Sequence, residues 1–368
     1  MRELTSLELG AVVAELRPRI ANSFLKKFYD LGDNAFRMSF HGPEGNTEVY
    51  CRLLNALNET GFKEEVGEAT NFARAVRKRI EDSKLLDVRQ HGSDRIVIFE
   101  FGARGGRYSL VIEMFGKGNL VVIKDGRIEV CYRILEYKDR NVKPGFEYVP
   151  PKSESTGLDS LDSGNVQAIL EKVSKSGGKT ITELSKYLNI GPLYLEDAIT
   201  SARLDPKAKL ESGSIDALLR SIMSLIGKAR KPDPVIYKRD GTLIDYSIFP
   251  LEKYRGLEIQ RCASVNGMLD AATLEGRSSR KVDSVADETE EIEAAIAKQK
   301  ELSAKFIADS EDYARFGKAI FERMGEINAL IIRIREVKKP TLEELRMEFT
   351  DLGIQEISLK DRTVTIEI

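Results

Sequence analysis

The sequence predicts an α+β protein with a β-rich antiparallel module, a helical module and a long helical arm. Three observations predict this. Between residues 23 and 132, short alternating strands are separated by turn signals every eight to twelve residues, the pattern of an antiparallel sandwich or barrel. From Val166 to Arg230 the periodicity turns helical, in short pieces broken at glycine and proline. From Ile292 to Ile334 one face keeps unbroken 4-3 spacing, the seam of a coiled coil.

Taken in order, Thr5-Ser-Leu-Glu8 reads as a capping box that opens a helix to Ile20, with Leu7, Val12, Leu16 and Ile20 on one face. Strands are expected at 23–29, 35–40 and 48–54, a helix at 72–83, then strands at 85–90, 95–101, 108–113, 119–124 and 127–132. Helices dress the edge of this first module, 1–152. A Ser/Gly/Asp-rich linker, 152–165, leads into the helical module, 165–230. The β segment 231–275 either resumes the first sheet or stands apart. The arm is expected over 283–339, and a helix of roughly fifty residues would extend about 75 Å. Pro340 stops it, and Thr341-Leu-Glu-Glu344 caps a short helix that begins the last segment, 340–368. So long an apolar ridge needs a mate, so the returning arm is expected beyond Ile368.

Composition narrows the chemistry. Apolar residues make up 42 % of the 368, enough to bury cores, and 57 Lys and Arg nearly cancel 59 Asp and Glu. A uniformly basic surface is therefore excluded, though local patches are not. No run approaches 18 consecutive apolar residues, which excludes a membrane-spanning helix, and no secretory h-region opens the chain. Cys51, Cys131 and Cys262 are far apart and odd in number, so neither a disulfide framework nor a zinc site is expected, and a cytoplasmic location fits. His41 and His91, both placed in turns, are the only histidines and tryptophan is absent. No GxSxG, Walker A or GxGxxG motif occurs. The expectation is a binding protein with no catalytic residues, metal or cofactor.

Binding candidates each have a plainer reading beside them. Arg74, Arg77 and Lys78 lie within one helical turn, spaced for successive phosphates but equally suited to a solvated face. Asp94-Arg95 sits where a turn enters an apolar strand: either a contact to RNA or an edge ion pair. Glu8 either contacts a ligand or caps Thr5. Leu188-Asn-Ile-Gly191-Pro has the outline of a helix-hairpin-helix, whose exposed amides can hold a phosphate. The turn Glu113-Met-Phe-Gly-Lys117-Gly-Asn119 needs its glycines, and Lys117 and Asn119 can reach a ligand.

These residues carry a resemblance. Asn71-Phe-Ala-Arg-Ala-Val-Arg-Lys-Arg, then Val88-Arg-Gln-His-Gly-Ser-Asp94-Arg95, then Leu110-Val-Ile-Glu113-Met-Phe-Gly-Lys-Gly-Asn119 resemble the NFACT family, which includes the RqcH and NEMF proteins of ribosome quality control; this copy looks archaeal. The resemblance covers essentially the whole chain. It implies a β-sandwich-like NFACT-N domain similar to the N-terminal domain of formamidopyrimidine-DNA glycosylases, a helix-hairpin-helix module and an outgoing coiled-coil arm, without the NFACT-R domain.

The resemblance also implies binding to the obstructed large ribosomal subunit and to an aminoacylated tRNA, alanyl in bacteria. With these go the stalled nascent chain–tRNA complex and template-free tailing, in which the ribosome forms the peptide bonds. Asp94 and Arg95 match the family's tRNA-recruiting pair. Glu8 matches an acidic residue usually Asp, and Arg77 and Lys78 match backbone contacts; Arg74, Lys117, Asn119 and Gly191 are further candidate nucleic-acid contacts. The alternative is a tRNA- or rRNA-binding factor without tailing. A glycosylase would need an N-terminal proline, which is absent, and surface adhesion would need an export signal. The stretch 283–312 holds ten acidic and three basic residues, so this part of the arm is not expected along rRNA. An unmated seam also predicts self-association.

Overall fold

The computed structural model describes residues 2–43, 45–63, 67–151, 156, 158–337, 340–358 and 363–367, with the side chains of all but 159 and 277–295. The chain divides into two units, Met1–Arg280 and Lys281–Ile368. Part of the linker (152–155, 157) and the seam and acidic side chains before 296 lie outside the described residues.

Unit 1 opens with α1 (Ser6–Ile20), and the expected capping box is formed: Glu8 N–H donates to Thr5 Oγ1, and Thr5 N–H donates to Glu8 Oε2. Its apolar stripe, including Leu7, Val12, Leu16 and Ile20, is buried. A meander follows: β1 (Phe24–Gly32), β2 (Ala35–Gly42), β3 (Gly45–Arg52) and β4 (Ala56–Glu59). The plan then repeats, with α2 (Asn71–Ile80), β5 (Lys84–Gln90), β6 (Ile96–Ala103), β7 (Gly106–Glu113), β8 (Asn119–Lys124) and β9 (Arg127–Cys131). The nine strands form one antiparallel sheet in the order β4-β3-β2-β1-β5-β6-β7-β8-β9. His41 lies on β2 rather than in a turn.

The repetition extends to the register. The β2–β3 ladder from Ala35↔Arg52 to Gly42↔Gly45 recurs in β6–β7 from Ile96↔Glu113 to Ala103↔Gly106, each residue 61 positions later. Where the halves join, β1 and β5 pair only at Phe24↔Lys84. The join is reciprocal: Leu25 N–H donates to Ser83 O and Leu85 N–H to Ser23 O, while Asn22 N–H donates to Leu85 O and Asp82 N–H to Leu25 O. Asn22 and Asp82 both take the left-handed conformation, φ 66° and 58°, which these two residue types tolerate. So narrow a join lets the sheet fold over. Phe40 on β2 and Phe99 on β6 are three strand spacings apart, about 14 Å in a flat sheet, yet their rings stack with centroids 6.3 Å apart. The enclosed space is the main core, shared by α1, α2 and both meanders.

A second, smaller core on the outer face of β6–β9 is covered by residues 132–149, which include β10 (Leu135–Glu136) and β11 (Asn141–Val142). The helical module holds α3 (Ser163–Ser176), α4 (Thr180–Tyr187), α5 (Pro192–Ser201) and α6 (Ile215–Ala229). Asp162 caps α3, and Gly177 ends it at φ 75°. The strands β12 (Val235–Arg239), β13 (Thr242–Ser247) and β14 (Glu258–Arg261) form their own sheet in the order β13-β12-β14. They do not resume the nine-stranded sheet, whose edges are β4 and β9.

The long helix α7 (Val265–Glu322) begins earlier than the sequence predicts, inside the expected β segment. The reason is a distant cap: both Glu15 carboxylate oxygens accept its first N–H groups, from Val265 at 2.8 Å and Asn266 at 2.9 Å. In unit 2, α7 is interrupted at Arg323 and α8 (Met324–Glu336) follows. Next comes α9 (Leu342–Glu348), with the expected Thr341/Glu344 capping box, then the hairpin of β15 (Ile354–Ser358) and β16 (Thr363–Ile366). Leu330, Leu345, Leu352 and Ile354 make its small core. Phe306, Tyr313 and Phe321 on α7 are exposed. No described helix is long and apolar enough to cross a membrane.

Candidate nucleic-acid interface

The N-terminus of α1 is where the parts of unit 1 converge. Glu8 is fully buried. Besides the Thr5 N–H, its carboxylate receives both terminal nitrogens of Arg2 and the hydroxyl of Tyr194 on α5, the last at 2.9 Å. Arg2 also donates to Asp245 Oδ1 at 2.9 Å and to Tyr246 O at 2.8 Å, and lies over the Tyr246 ring. One ion pair thus joins α1, the helical module and β13. Burial alone would lower the Arg2 pKa, but the bonds to Glu8 and the nearby Asp245 raise it above the ordinary guanidinium value. Burial, followed by the Glu8 charge, pushes the Tyr194 hydroxyl well above the ordinary phenol range. Glu8 is enclosed, so it is not a surface on which RNA can rest; it carries the cap and the ion pair.

Asp94 and Arg95 occupy the bend between β5 and β6, beside this convergence. Arg95 is 28 % exposed and pairs at 2.5 Å with Glu3, which is 52 % exposed. The Asp94 carboxylate receives the side-chain amide of Asn189, from the turn between α4 and α5, at 3.4 Å; the same amide donates to Ser93 O at 2.6 Å. Gln90 Nε2 ties the bend to α1, donating to Asp94 O at 2.9 Å and Ser6 O at 3.0 Å.

The internal repeat separates what this bend needs from what it displays. Its counterpart between β1 and β2 is the tight turn Asp33–Asn34, both residues left-handed. There Leu53 N–H donates to Asn34 O; here Met114 N–H donates to Arg95 O at 2.7 Å. The strand exit therefore uses the backbone of residue 95. Neither the Asp94 nor the Arg95 side chain bonds within its own bend; both reach outward, to Asn189 and to Glu3 and Leu4 O. A cleft of about 630 Å³ opens alongside, lined by Ser6, Gly10, Gln90, Ser93, Asn189 and Arg230 among others.

The other candidates divide. Gly191 comes to the same place, but as a packing residue: at φ 95° it lies so close to α1 that a Cβ would stand 2.6 Å from Thr5 Cγ2. Gly191 therefore seats this turn against the start of α1. Asn119 is fully buried and exchanges hydrogen bonds with the Arg133 backbone, both at 2.9 Å, so it is structural. Lys117 is exposed in that turn. Arg74 and Lys78 are exposed on α2, whereas Arg77 is half-buried, donating to Phe28 O at 2.8 Å and lying over Tyr29. No described hydrogen bond or ion pair joins these α2 residues to the Asp94 bend. Sequence reasoning missed Arg2, Gln90, Asn189 and Tyr194. Among the described residues no cluster suited to a metal ion occurs.

Comparison with known proteins accords with this architecture. The family described as NFACT N-terminal and middle domains matches residues 5–351. The archaeal Rqc2 homolog aRqcH of Methanocaldococcus jannaschii is 26 % identical over 355 residues, covering 92 % of this chain and 52 % of that protein. The human ribosome quality control complex subunit NEMF is 27 % identical over 229 residues, 59 % of this chain and 21 % of that protein. The chain thus spans about half the length of the archaeal relative and less of the human one. Among solved structures, the fibrinogen binding protein of Staphylococcus aureus aligns over 72 % of this chain and 97 % of its own, with a TM-score of 0.59 and 18 % identity, a likeness of fold. The Lactococcus lactis glycosylase Fpg reaches a TM-score of only 0.33, too low to carry an inference. With 347 of its residues inside the matched span, the chain belongs to the NFACT family, in the part that comprises the N-terminal and middle domains.

Proposed function

We propose that this chain is the RNA-gripping part of a cytoplasmic ribosome quality control factor. It binds a tRNA and the obstructed large ribosomal subunit and promotes template-free tailing of the stalled nascent chain. It performs no bond-making of its own and uses no cofactor or metal. In this reading α4 and α5 form a helix-hairpin-helix-type module, and α7 with α8 is the outgoing strand of a coiled coil. The observation that carries the reading is the bend at Asp94–Arg95: two charged side chains beside a cleft, neither needed to build the turn that holds them. An arginine with a half-solvated carboxylate for a partner is readily surrendered to a phosphate, and a surface ion pair of this kind contributes only about 0–1 kcal/mol to stability.

The test is tRNA binding by fluorescence anisotropy together with thermal melting. Arg95→Ala should weaken binding at least about tenfold, since a charge-assisted bond contributes about 1.5–3 kcal/mol, and leave melting within about 4 °C of wild type. Wild-type affinity should fall steeply between about 50 and 200 mM salt. Unchanged binding by the variant, or a flat salt response, would remove Arg95 from the interface.

The arm supports a separate expectation. The exposed Phe306, Tyr313 and Ile320 belong to a seam that another helix would cover, so this chain, taken alone, should self-associate. Light scattering should give a mass that rises with concentration; a strict monomer throughout would show that the seam is tolerated in water.

A further inference from the structure

We propose that Asn189 is a positioning residue: the turn between α4 and α5 serves to aim the Asp94 carboxylate through the Asn189 amide. This rests on the reading of Asp94–Arg95 as the RNA contact and names the residue that sets its geometry.

The amide has a fixed base. The turn is held against α1 by Gly191, seated on Thr5 with no room for a Cβ, and by the Tyr194 hydroxyl on buried Glu8. From there Asn189 Nδ2 reaches Ser93 O at 2.6 Å and Asp94 Oδ1 at 3.4 Å. The bend's backbone is secured without it. Ser6 Oγ also donates to Ser93 O, Gln90 Nε2 holds Asp94 O, and Met114 N–H holds Arg95 O. Among the described residues, what Asn189 alone supplies is a donor to the carboxylate of Asp94.

The chemistry of that donor matters. A carboxylate beside a polyanion is useful only if it is aimed at a donor group, such as a base amino group or a 2′-hydroxyl, and away from phosphate. A lysine or arginine at position 189 would orient Asp94 but neutralise it. A primary amide orients one oxygen without charge and leaves the other free to accept. The hairpin, seated on α1 through Gly191, thereby contributes to recognition at one remove.

The experiment uses the full chain and a purified tRNA transcript, with melting recorded for every variant. Asn189→Ala should lower affinity about three- to tenfold with melting unchanged. Asn189→Asp has the same shape but no donor, and it sets a second carboxylate against Asp94, so it should bind more weakly than Asn189→Ala. If Asn189 merely fills space, the isosteric Asp variant would instead bind like wild type, which would overturn the proposal. The slope of log affinity against log salt should stay at the wild-type value, because no phosphate contact is lost; a slope reduced by about one would mark Asn189 as a phosphate contact and reject the positioning role. In an Asp94→Ala background the Asn189 substitutions should have no further effect. If Asp94→Ala weakens binding while Asn189→Ala is neutral or additive with it, the positioning role alone fails. If neither weakens binding, the reading of the Asp94 site fails with it.

Discussion

Replacing Glu8 with alanine should lower the unfolding free energy of unit 1 by about 3 kcal/mol, because removing one partner of a buried ion pair leaves the other uncompensated. The loss has three parts. Arg2 retains Asp245 but loses a bidentate partner; the Tyr194 hydroxyl loses the acceptor for its proton; and Thr5 N–H returns to being an unpaired first-turn donor. The retained Asp245 keeps the effect at the low end of what a broken buried pair costs. For a unit of this size about 3 kcal/mol corresponds to roughly 6–12 °C of melting temperature. Glu8→Gln, which keeps an acceptor for the cap but drops the charge, should lose less. Thermal melting against tRNA binding discriminates the roles. A Glu8→Ala protein that melts like wild type yet fails to bind tRNA would show the carboxylate touching RNA after all.

Glu8 also marks how far the sequence could be read. The capping box was legible because it is local: Thr5 and Glu8 are three residues apart, and that spacing has few other meanings. Arg2 was not, since its partners Asp245 and Tyr246 lie more than 240 residues away and no periodicity points across such a distance. The strands that alternate between apolar and polar residues were legible, with turns marked by glycine and aspartate. β4, Ala-Leu-Asn-Glu, was missed because four residues are too few to show a period. The duplication of the first module was missed too. It resides in hydrogen-bond register, while the side chains at matching positions, Asn34 and Arg95 for example, have diverged.

Among the site residues, Asp94 and Arg95 were placed correctly at a strand mouth, where a short-range turn signal sufficed. Asn119 and Gly191 misled for one shared reason. A buried asparagine that satisfies a backbone and an asparagine that waits for a ligand have the same letter, and so do a glycine that admits a phosphate and one that admits Thr5. Burial alone separates them, and burial is a tertiary property. Asn189 carried no signal of its own; it acquires a meaning only when the hairpin lands on the Asp94 bend.

Arg140→Ala should be the more damaging of the two ion-pair substitutions, costing about 4 kcal/mol in all, or roughly 8–16 °C. Arg140 and Glu113 have side chains 4 % and 1 % exposed and meet in a two-pronged contact at 2.6 and 3.2 Å. Tyr148 donates to the same carboxylate at 3.0 Å, and burial followed by that carboxylate raises its hydroxyl pKa well above the ordinary range. Whereas Glu8→Ala leaves Arg2 with Asp245, Arg140→Ala leaves the Glu113 carboxylate with no second cation among the described residues. The pair also fastens residues 132–149 over the outer core, with the guanidinium lying above the Phe115 and Tyr137 rings. Glu113 ends β7, and the next residue, Met114, supplies the N–H that holds Arg95 O. Loss of Arg140 should therefore weaken tRNA binding along with stability, whereas Arg95→Ala separates the two. Pairing Arg140→Met with Glu113→Leu, which removes both charges and keeps the volume, should restore much of the melting temperature, because apolar replacements of a buried ion pair are often neutral or better. Recovery of tRNA binding in that double variant would place the damage in the scaffold. A single variant melting within about 1 °C of wild type would mean that water reaches Glu113 and that the clasp holds nothing.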